Sequence, residues 1–495
     1  MIGRLKASFT VFVALILTAV MTFLFTMSEC IRLYELNDFG QQFTDMAVES
    51  AFSEYNPYLW SNYKILALDL GYGTDAIGPS IFQQKLLDYA KYNADIEEGS
   101  NFARLNPAGA TTNHYSVLTD GAGEAVVMLG VKAAKDDLAA QIIDGIQGQC
   151  DAMNGIEKVP VESQAESGAK ALEDAKSELE AKKANADNDD DPNTSSADYP
   201  EIEEVEDNPL DAFKVMKEAL SKGFLSTVID VNGVSDKEWD KGALPSKRSL
   251  NKGTSELSNG SDIADKALFI DYVLANYSRY DLDKKHDGMR YEVEHLIAGM
   301  ESDSQNLAAV VGELLLIREA ANYWTICNSD VLQLQAQGVA ATLSSFNPPM
   351  EPVVEAAVIA AWAYIESVLD VRLLLSGGTV PIIKTGDQWT SDVLHLSSFL
   401  NVNAKAKQCQ GGISYEKYLI GFLALKSNKT LGMRACDVME TALNSTEDYK
   451  NIKADNLMFY ADVTMDYSAD EMFLSLFDGS RGQTYTISKF RQISY

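Results

Sequence analysis

Histidine is scarce in this chain: His114, His286, His295 and His395 are the only four in 495 residues. So few imidazoles limit both metal sites and general acid–base chemistry. The five cysteines (Cys30, Cys150, Cys327, Cys409 and Cys436) form no C-x-x-C pair and keep no metal-ligand spacing, which argues against a zinc site. The nucleophile elbow G-x-S-x-G, the phosphate loop, H-E-x-x-H and G-x-G-x-x-G are all missing, so no enzyme, catalytic set, cofactor or bound metal is expected. Positive charge is in deficit as well. The 41 Lys and Arg face 72 Asp and Glu, a formal net charge of −31. A body of that sign repels nucleic acid and anionic membrane surfaces, and no nucleic-acid partner is expected. Long apolar runs are lacking beyond residue 30. The best, "VVEAAVIAAWAYIESVLDVRLLL" from Val353 to Leu375, is interrupted by Glu355, Glu366, Asp370 and Arg372, and reads as a buried soluble helix.

The opening residues, "MIGRLKASFTVFVALILTAVMTFLFTMSEC", hold what the rest lacks. From Phe9 to Met27 no residue is charged. At about 1.5 Å per residue this stretch covers roughly the 30 Å of a bilayer core, with Phe9, Val13, Leu17, Leu24 and Met27 marking the spanning helix. The hydroxyls of Thr10, Thr18, Thr22 and Thr26 can bond back to the preceding turn. Arg4 and Lys6 precede the run and Glu29 follows it, which places the N-terminus in the cytoplasm and the bulk of the chain outside. The exit "FTMSEC" offers no small-x-small cleavage site, so an uncleaved single-pass anchor in the cell membrane is expected. Apolar spacing continues through Ile31, Leu33, Leu36, Phe39, Phe43, Met46 and Ala51 up to Asn56-Pro57. It predicts one helix of about fifty residues, ~75 Å long.

The remaining periodicities predict an α+β, mainly α, protein. A long transmembrane helix continues into an extracellular helical-bundle head, with a smaller β-sheet that includes a C-terminal hairpin. The segments are 1–56 (membrane and stalk helix), 57–156 (α/β), 157–207 (charged helix and acidic linker), 208–261 (short α/β connector), 262–400 (helical bundle) and 401–495 (helical pair and hairpin). Strands are expected in "YKILALDLGYG" (Tyr63 to Gly73), "HYSVLTD" (His114 to Asp120) and "FLSTVID", and helices over Ser80 to Ile96, Glu124 to Met153 and Pro209 to Lys222. Five more helices are expected between Ile263 and Ser376, and two between Tyr415 and Asn444. In "FYADVTMDY", Phe459, Ala461, Val463 and Met465 share one strand face. The acidic stretch from Asn188 to Asp207 includes Asp189, Asp190 and Asp191, but lacks the alternating ligands and glycine turn of a calcium loop. "YEVEHLIAGM" sets Glu292 and His295 at the spacing of di-iron bundles, but no second E-x-x-H exists, so a structural role is expected.

Charge inside apolar helices is the other feature: Glu294, Arg318, Glu319, Glu366, Asp370, Arg372 and, after "GGTVPII", Lys384. Buried charges must be paired, since stranding one costs several kcal/mol. Contacts of the Arg318–Glu366 or Arg372–Glu294 kind are therefore expected between helices. Such a network either fixes helix register or lines a ligand pocket, the latter belonging to a membrane-anchored extracellular sensor or binding protein.

"KASFTVFVALILTAVMTFLFTMSECIRL" resembles the opening of a family of single-pass envelope proteins of unknown function from Gram-positive anaerobes. The similarity continues in "NPLDAFKVMKEALSKGFLSTVI", "LPSKR", "YEVEHLIAGMESDSQNLAAVVGELLLIREAANY", "AWAYIESVLDVRLLLSGGTVPIIKT" and "ISYEKYLIGFLAL". Members are commonly encoded beside tight-adherence (Tad, type IVc) pilus machinery, and their first helix is similar to that of the TadE and TadG minor pilins. Glu29 and Arg32 match the E-x-x-R with which TadE-type helices leave the membrane. The resemblance implies a pseudopilin-like structural or assembly role, with membrane lipid and protein subunits of a pilus or envelope assembly as partners. It does not extend to prepilin cleavage: Ala7 stands where the glycine before the cut should be, and Phe12 where the glutamate should be.

Overall fold

The computed structural model describes the chain apart from residues 1, 96–100, 102, 137–159, 188–198, 204, 230, 256–262 and 475–482. The far half of the helix expected over Glu124 to Met153 lies outside the described residues. So do Asp189, Asp190 and Asp191 with most of the acidic linker. The described chain is mainly helical with a small antiparallel sheet. It divides into two compact units, Met1–Ala133 with Gly242–Gly260 and Ala435–Tyr495, and Ala134–Lys241 with Ser261–Arg434.

The first unit is organised by one helix. α1 (Ile2–Phe52) is unbroken through 51 residues. Its proximal part is apolar all round, and every residue from Phe9 to Leu24 is exposed. Thr18, Thr22 and Thr26 donate to the carbonyls of Ala14, Thr18 and Thr22 at 2.8, 2.9 and 2.8 Å, so the hydroxyls need no other partner. The distal part is amphipathic. Leu36, Phe43, Ala47, Val48 and Ala51 are buried and recur at three- and four-residue steps, one face of a helix.

That face covers the sheet. Strand β3 (Leu457–Asp470) is its centre. β2 (Asn106–Val117) and β4 (Thr484–Ser494) pair antiparallel with overlapping parts of β3 and so take its two edges, while the two-residue β1 (Leu68–Asp69) pairs with Leu457 and Met458. Phe459, Ala461, Val463, Met465 and Tyr467 are buried at alternate positions, the face expected from the sequence. On β4, Lys489 reaches Asn37 Oδ1 at 2.7 Å and Arg491 lies 3.5 Å from Asp45, so the helix's polar flank meets the strand's cations. α2 (Pro57–Tyr63), α3 (Ser80–Asn93) and α4 (Glu124–Asp136) complete the region.

The second unit contains α5 (Val161–Asp187), α6 (Pro209–Lys222), α7 (Phe224–Val228), α8 (Ile263–Asn276), α9 (Glu292–Ala298), α10 (Asp303–Cys327), α11 (Asp330–Leu343), α12 (Glu351–Leu375) and α13 (Tyr415–Leu425). α12 is its axis: every residue from Ala357 to Leu375 is buried, against α5, α6, α10 and α11. The α5–α12 crossing is close, because a Cβ on Gly168 would fall 2.2 Å from that of Ala357. α14 (Asn428–Asn444) carries the chain back to the first unit.

Three expected strands change. In Tyr63 to Gly73 only Leu68 and Asp69 pair, because the Asn56 side chain caps α2 by accepting from Leu59 N–H, Pro57 starts the helix and Lys64 ends it in a left-handed conformation. Phe224–Val228 of "FLSTVID" is the short helix α7, in which the Ser226 and Thr227 hydroxyls both donate to Gly223 O at 2.9 Å. β2 starts at Asn106 rather than His114. Its first half is half-buried to exposed, and so lacks the apolar alternation that would have announced it.

Candidate functional site

The exit of α1 is a built site. Glu29 and Arg32 stand one turn apart, which puts both on the same helix face, and both are buried. Arg32 Nη1 donates to Glu29 Oε1 and to the carbonyl of Asp470, each at 2.8 Å, and Nε donates to Ala103 O at 2.9 Å. The second carboxylate oxygen of Glu29 accepts from Phe473 N–H at 2.7 Å and Met472 N–H at 3.3 Å. Phe25 stacks on Phe473, centroids 6.4 Å apart. The end of β3 and the residues after it are thereby tied to the helix where burial begins. Phe9, Val13, Leu17, Leu24 and Met27 lie in the bare part beyond this clamp. Arg4 and Lys6 lie in the first turns of α1, where the structure describes only backbone.

The interior charges form a quartet and three separate residues, Glu294, Arg372 and Glu319, rather than one network. Arg318 on α10, Asp370 and Glu366 on α12, and Lys384 after it make a quartet whose side chains are wholly buried. Arg318 pairs with Asp370, not Glu366: Nη2 and Nε reach Asp370 Oδ2 at 2.8 and 3.1 Å. Glu366 instead pairs with Lys384 and accepts from the backbone N–H of Thr390 and Ser391 and the Ser391 hydroxyl. Glu366 and Asp370 stand one turn apart on the same face, so Lys384 lies between them and touches both, while Arg318 reaches only Asp370. Burial pushes the Asp370 carboxyl up, but the charges of Arg318 and Lys384 outweigh it and hold the group below the ordinary carboxylate value.

Glu294 and Arg372 do not meet. Glu294, on α9, accepts from Tyr280 N–H at 3.0 Å and the Tyr415 hydroxyl at 2.9 Å, and burial pushes its carboxyl up to about 7. Arg372, near the C-terminal end of α12, donates to the carbonyls of Thr227, Phe399, Asn401 and Ala404. Its charge is thus met by carbonyl dipoles, and burial lowers it to about 10. Arg372 also lines a cavity of about 460 Å³ with Ser226, Tyr280, Ser376, Asn403 and Lys405. Glu292 and His295 turn to different partners. Glu292 accepts from Ser278 N–H and lies 3.0 Å from His286 Nδ1, whereas His295 Nδ1 lies 3.3 Å from Asn306 Nδ2. Among the described residues no group of three His, Cys, Asp or Glu is placed to hold a metal.

Two features go beyond a reading of the sequence: the missing partner of Glu319, which the sequence marks only as a charge in an apolar helix, and the partners of Arg248. Glu319 is buried on α10 with no hydrogen bond or ion pair among the described residues, and burial with the nearby Glu162 charge pushes it up to about 8. Arg248, in "LPSKR", bridges Glu440 at 2.9 Å and Asp455 at 2.7 Å, and Asp455 also accepts from Asn251 N–H. Only the hydrophilic character of that loop was visible locally; its partners lie nearly two hundred residues on.

Fold and site define a class of protein: a bare apolar helix clamped by a buried Glu–Arg pair onto an antiparallel sheet, in a chain that also carries a helical unit. The chain belongs to a family of unknown function (DUF5702), whose model matches residues 200–469. No curated protein and no solved structure matches it.

Proposed function

We propose that this protein is a membrane-anchored, pseudopilin-like structural or assembly subunit of a Tad-type (type IVc) pilus or secretion apparatus. The apolar part of α1 sits in the lipid with the Arg4 and Lys6 end cytoplasmic, and both compact units lie on the outer side. One observation carries this reading. A single helix is bare and apolar over Phe9–Leu24 and, without a break, amphipathic and packed on an antiparallel sheet from Leu36 to Phe52. A simple tether has no need of that continuity, since a flexible linker after the membrane would serve. A continuous rod fixed by Glu29 and Arg32 passes the position of the lipid segment rigidly to the sheet, as a subunit that packs laterally through its stem requires. Ala14, Thr18 and Thr22 offer small residues for close helix–helix approach.

The test is crosslinking in intact membranes followed by identification of what is joined to the protein. Pilus platform, ATPase or pilin subunits are expected among the adducts; their absence from a crosslink series that captures other neighbours overturns the assignment. The cavity at Arg372 supports a second reading, an anchored receptor for a small anion. Calorimetric titration of the detergent-solubilised protein with phosphate and with short carboxylates tests it, and no heat of binding with either removes it.

A further inference from the structure

The quartet on α12 has features that an ion-pair network does not require. Lys384 Nζ contacts Glu366 Oε1 and Asp370 Oδ1, and all three side chains are wholly buried. The two oxygens of Asp370 are treated very differently. Oδ2 accepts three N–H groups, from Arg318 Nε and Nη2 and from Asn322 Nδ2 at 2.9 Å. Oδ1 meets no N–H of the backbone, Arg318 or Asn322 and faces only the Lys384 ammonium. This is how a site for acyl substitution is arranged. One oxygen is held by a cation and an amide, as an oxyanion would be. The other meets only the Lys384 ammonium, which a second carboxylate also touches. The surroundings are buried and aromatic, with Trp362 and Trp389 at 5.4 Å between centroids and Lys384 Nζ 5.6 Å from the Trp389 ring.

We infer that Lys384 and Asp370 become joined by an intramolecular amide bond, formed in the folded protein with Glu366 as the proton carrier. Glu366 takes a proton from the Lys384 ammonium and delivers it to Asp370 Oδ1, which converts the ion pair into an amine and a carboxylic acid. The nitrogen lone pair then forms the bond to Cγ, and the carbonyl electron pair moves onto Oδ2, facing Arg318 and Asn322. A second proton travels from nitrogen through Glu366 to Oδ1. The Cγ–Oδ1 bond breaks with its electrons on oxygen, Oδ2 reforms the carbonyl, and one water leaves. Ammonium and carboxylate have become amide and water, Glu366 is a carboxylate again, and no oxidant or co-reactant is used. The reaction removes one positive and one negative charge together, so Arg318 and Glu366 remain as a balanced pair. Burial drives it in this direction, because two desolvated ions are replaced by a neutral amide whose N–H has Glu366 as acceptor. Holding the three groups in contact removes the entropic barrier that such a condensation meets in solution.

This inference is independent of the pilus reading. Its test is mass spectrometry of a denatured digest of the full-length, detergent-purified chain. The expected result is a branched species joining the peptides that contain Asp370 and Lys384, lighter than their sum by one water, with the two linear peptides depleted. Lys384→Met and Asp370→Ala are expected to yield linear peptides only. Glu366→Gln keeps both reacting groups but removes the proton carrier, and is expected to leave most of the chain unlinked. Wild-type protein giving only the two linear peptides overturns the proposal and leaves a non-covalent network. A link between other residues overturns it too, and full linkage in Glu366→Gln removes the role given to Glu366. The wild-type digest decides the bond even where a variant does not fold.

Discussion

Replacing Arg32 with alanine strands the Glu29 carboxylate in a buried site, with two backbone N–H groups but no cation beside it. Breaking a buried pair from one side costs about 3–5 kcal/mol. The expected outcome is faster amide hydrogen exchange at Phe473 and along the last turn of β3, with the lipid segment unaffected. Arg32→Lys restores the charge but not the fork that reaches Glu29, Asp470 and Ala103 together, so it should recover only part of the protection. Glu319 provides the opposite case, a charge better absent. Its folded value of about 8, with about 7 for Glu294, stands above the ordinary 4.5. Between these limits the folded state keeps protons that the unfolded chain has released. Stability of the helical unit should therefore fall as pH rises from about 4.5 to about 8 and level off beyond. Lys217 and Tyr364, whose values are also raised, lie in the same neighbourhood, so the variant is needed to isolate the effect. Calorimetry across that range should show Glu319→Gln declining less steeply and standing about 1–3 kcal/mol above wild type at the alkaline end.

Among the elements, α5 and α12 cross where Gly168 faces Ala357. Gly168→Ala drives two methyl carbons into the same space and should destabilise the helical unit by about 1–3 kcal/mol. Gly168→Ala combined with Ala357→Gly should recover part of that loss, less the ~1 kcal/mol of a glycine within a helix. Urea unfolding of the single and double variants measures both. Helices were also what the sequence announced best. α10, α12 and the distal part of α1 carry apolar spacing over several turns, which no loop imitates, and Phe459 to Met465 alternate as a covered strand must. β1, α7 and the start of β2 are short or half-solvated, so local composition carried little signal for them. The charges were legible as a set, because six ionisable groups in apolar helices, with Lys384 just after them, call for compensation. Which partner each takes was not, since Lys384 enters the quartet from a loop and Arg372 is satisfied by carbonyls that any sequence would supply.

At the scale of the whole molecule, a net charge of −31 and a single bare helix set two demands. The acidic bulk repels its own copies, and that repulsion weakens as the screening length shrinks from about 30 Å at low salt to about 8 Å at physiological salt. On the proposed membrane placement, orientation in the lipid would rest on Arg4 and Lys6. Changing both to glutamate should produce a mixed population, read by protease protection in sealed vesicles, whereas the wild-type protein should give one cleavage pattern.

The order of synthesis gives the sheet a further meaning. Roughly 400 residues separate Phe52 from the strand that covers its helix, and translation at about 5–20 residues per second needs some tens of seconds to supply them. Throughout that interval the lipid segment is already available for insertion, while Leu36, Phe43 and Val48 have no strand to lie against. On the proposed membrane placement, a newborn chain would therefore present an oily ridge just above the bilayer. Whatever shelters that ridge, a chaperone or a neighbouring stem, has first claim on the protein before its own last strands arrive.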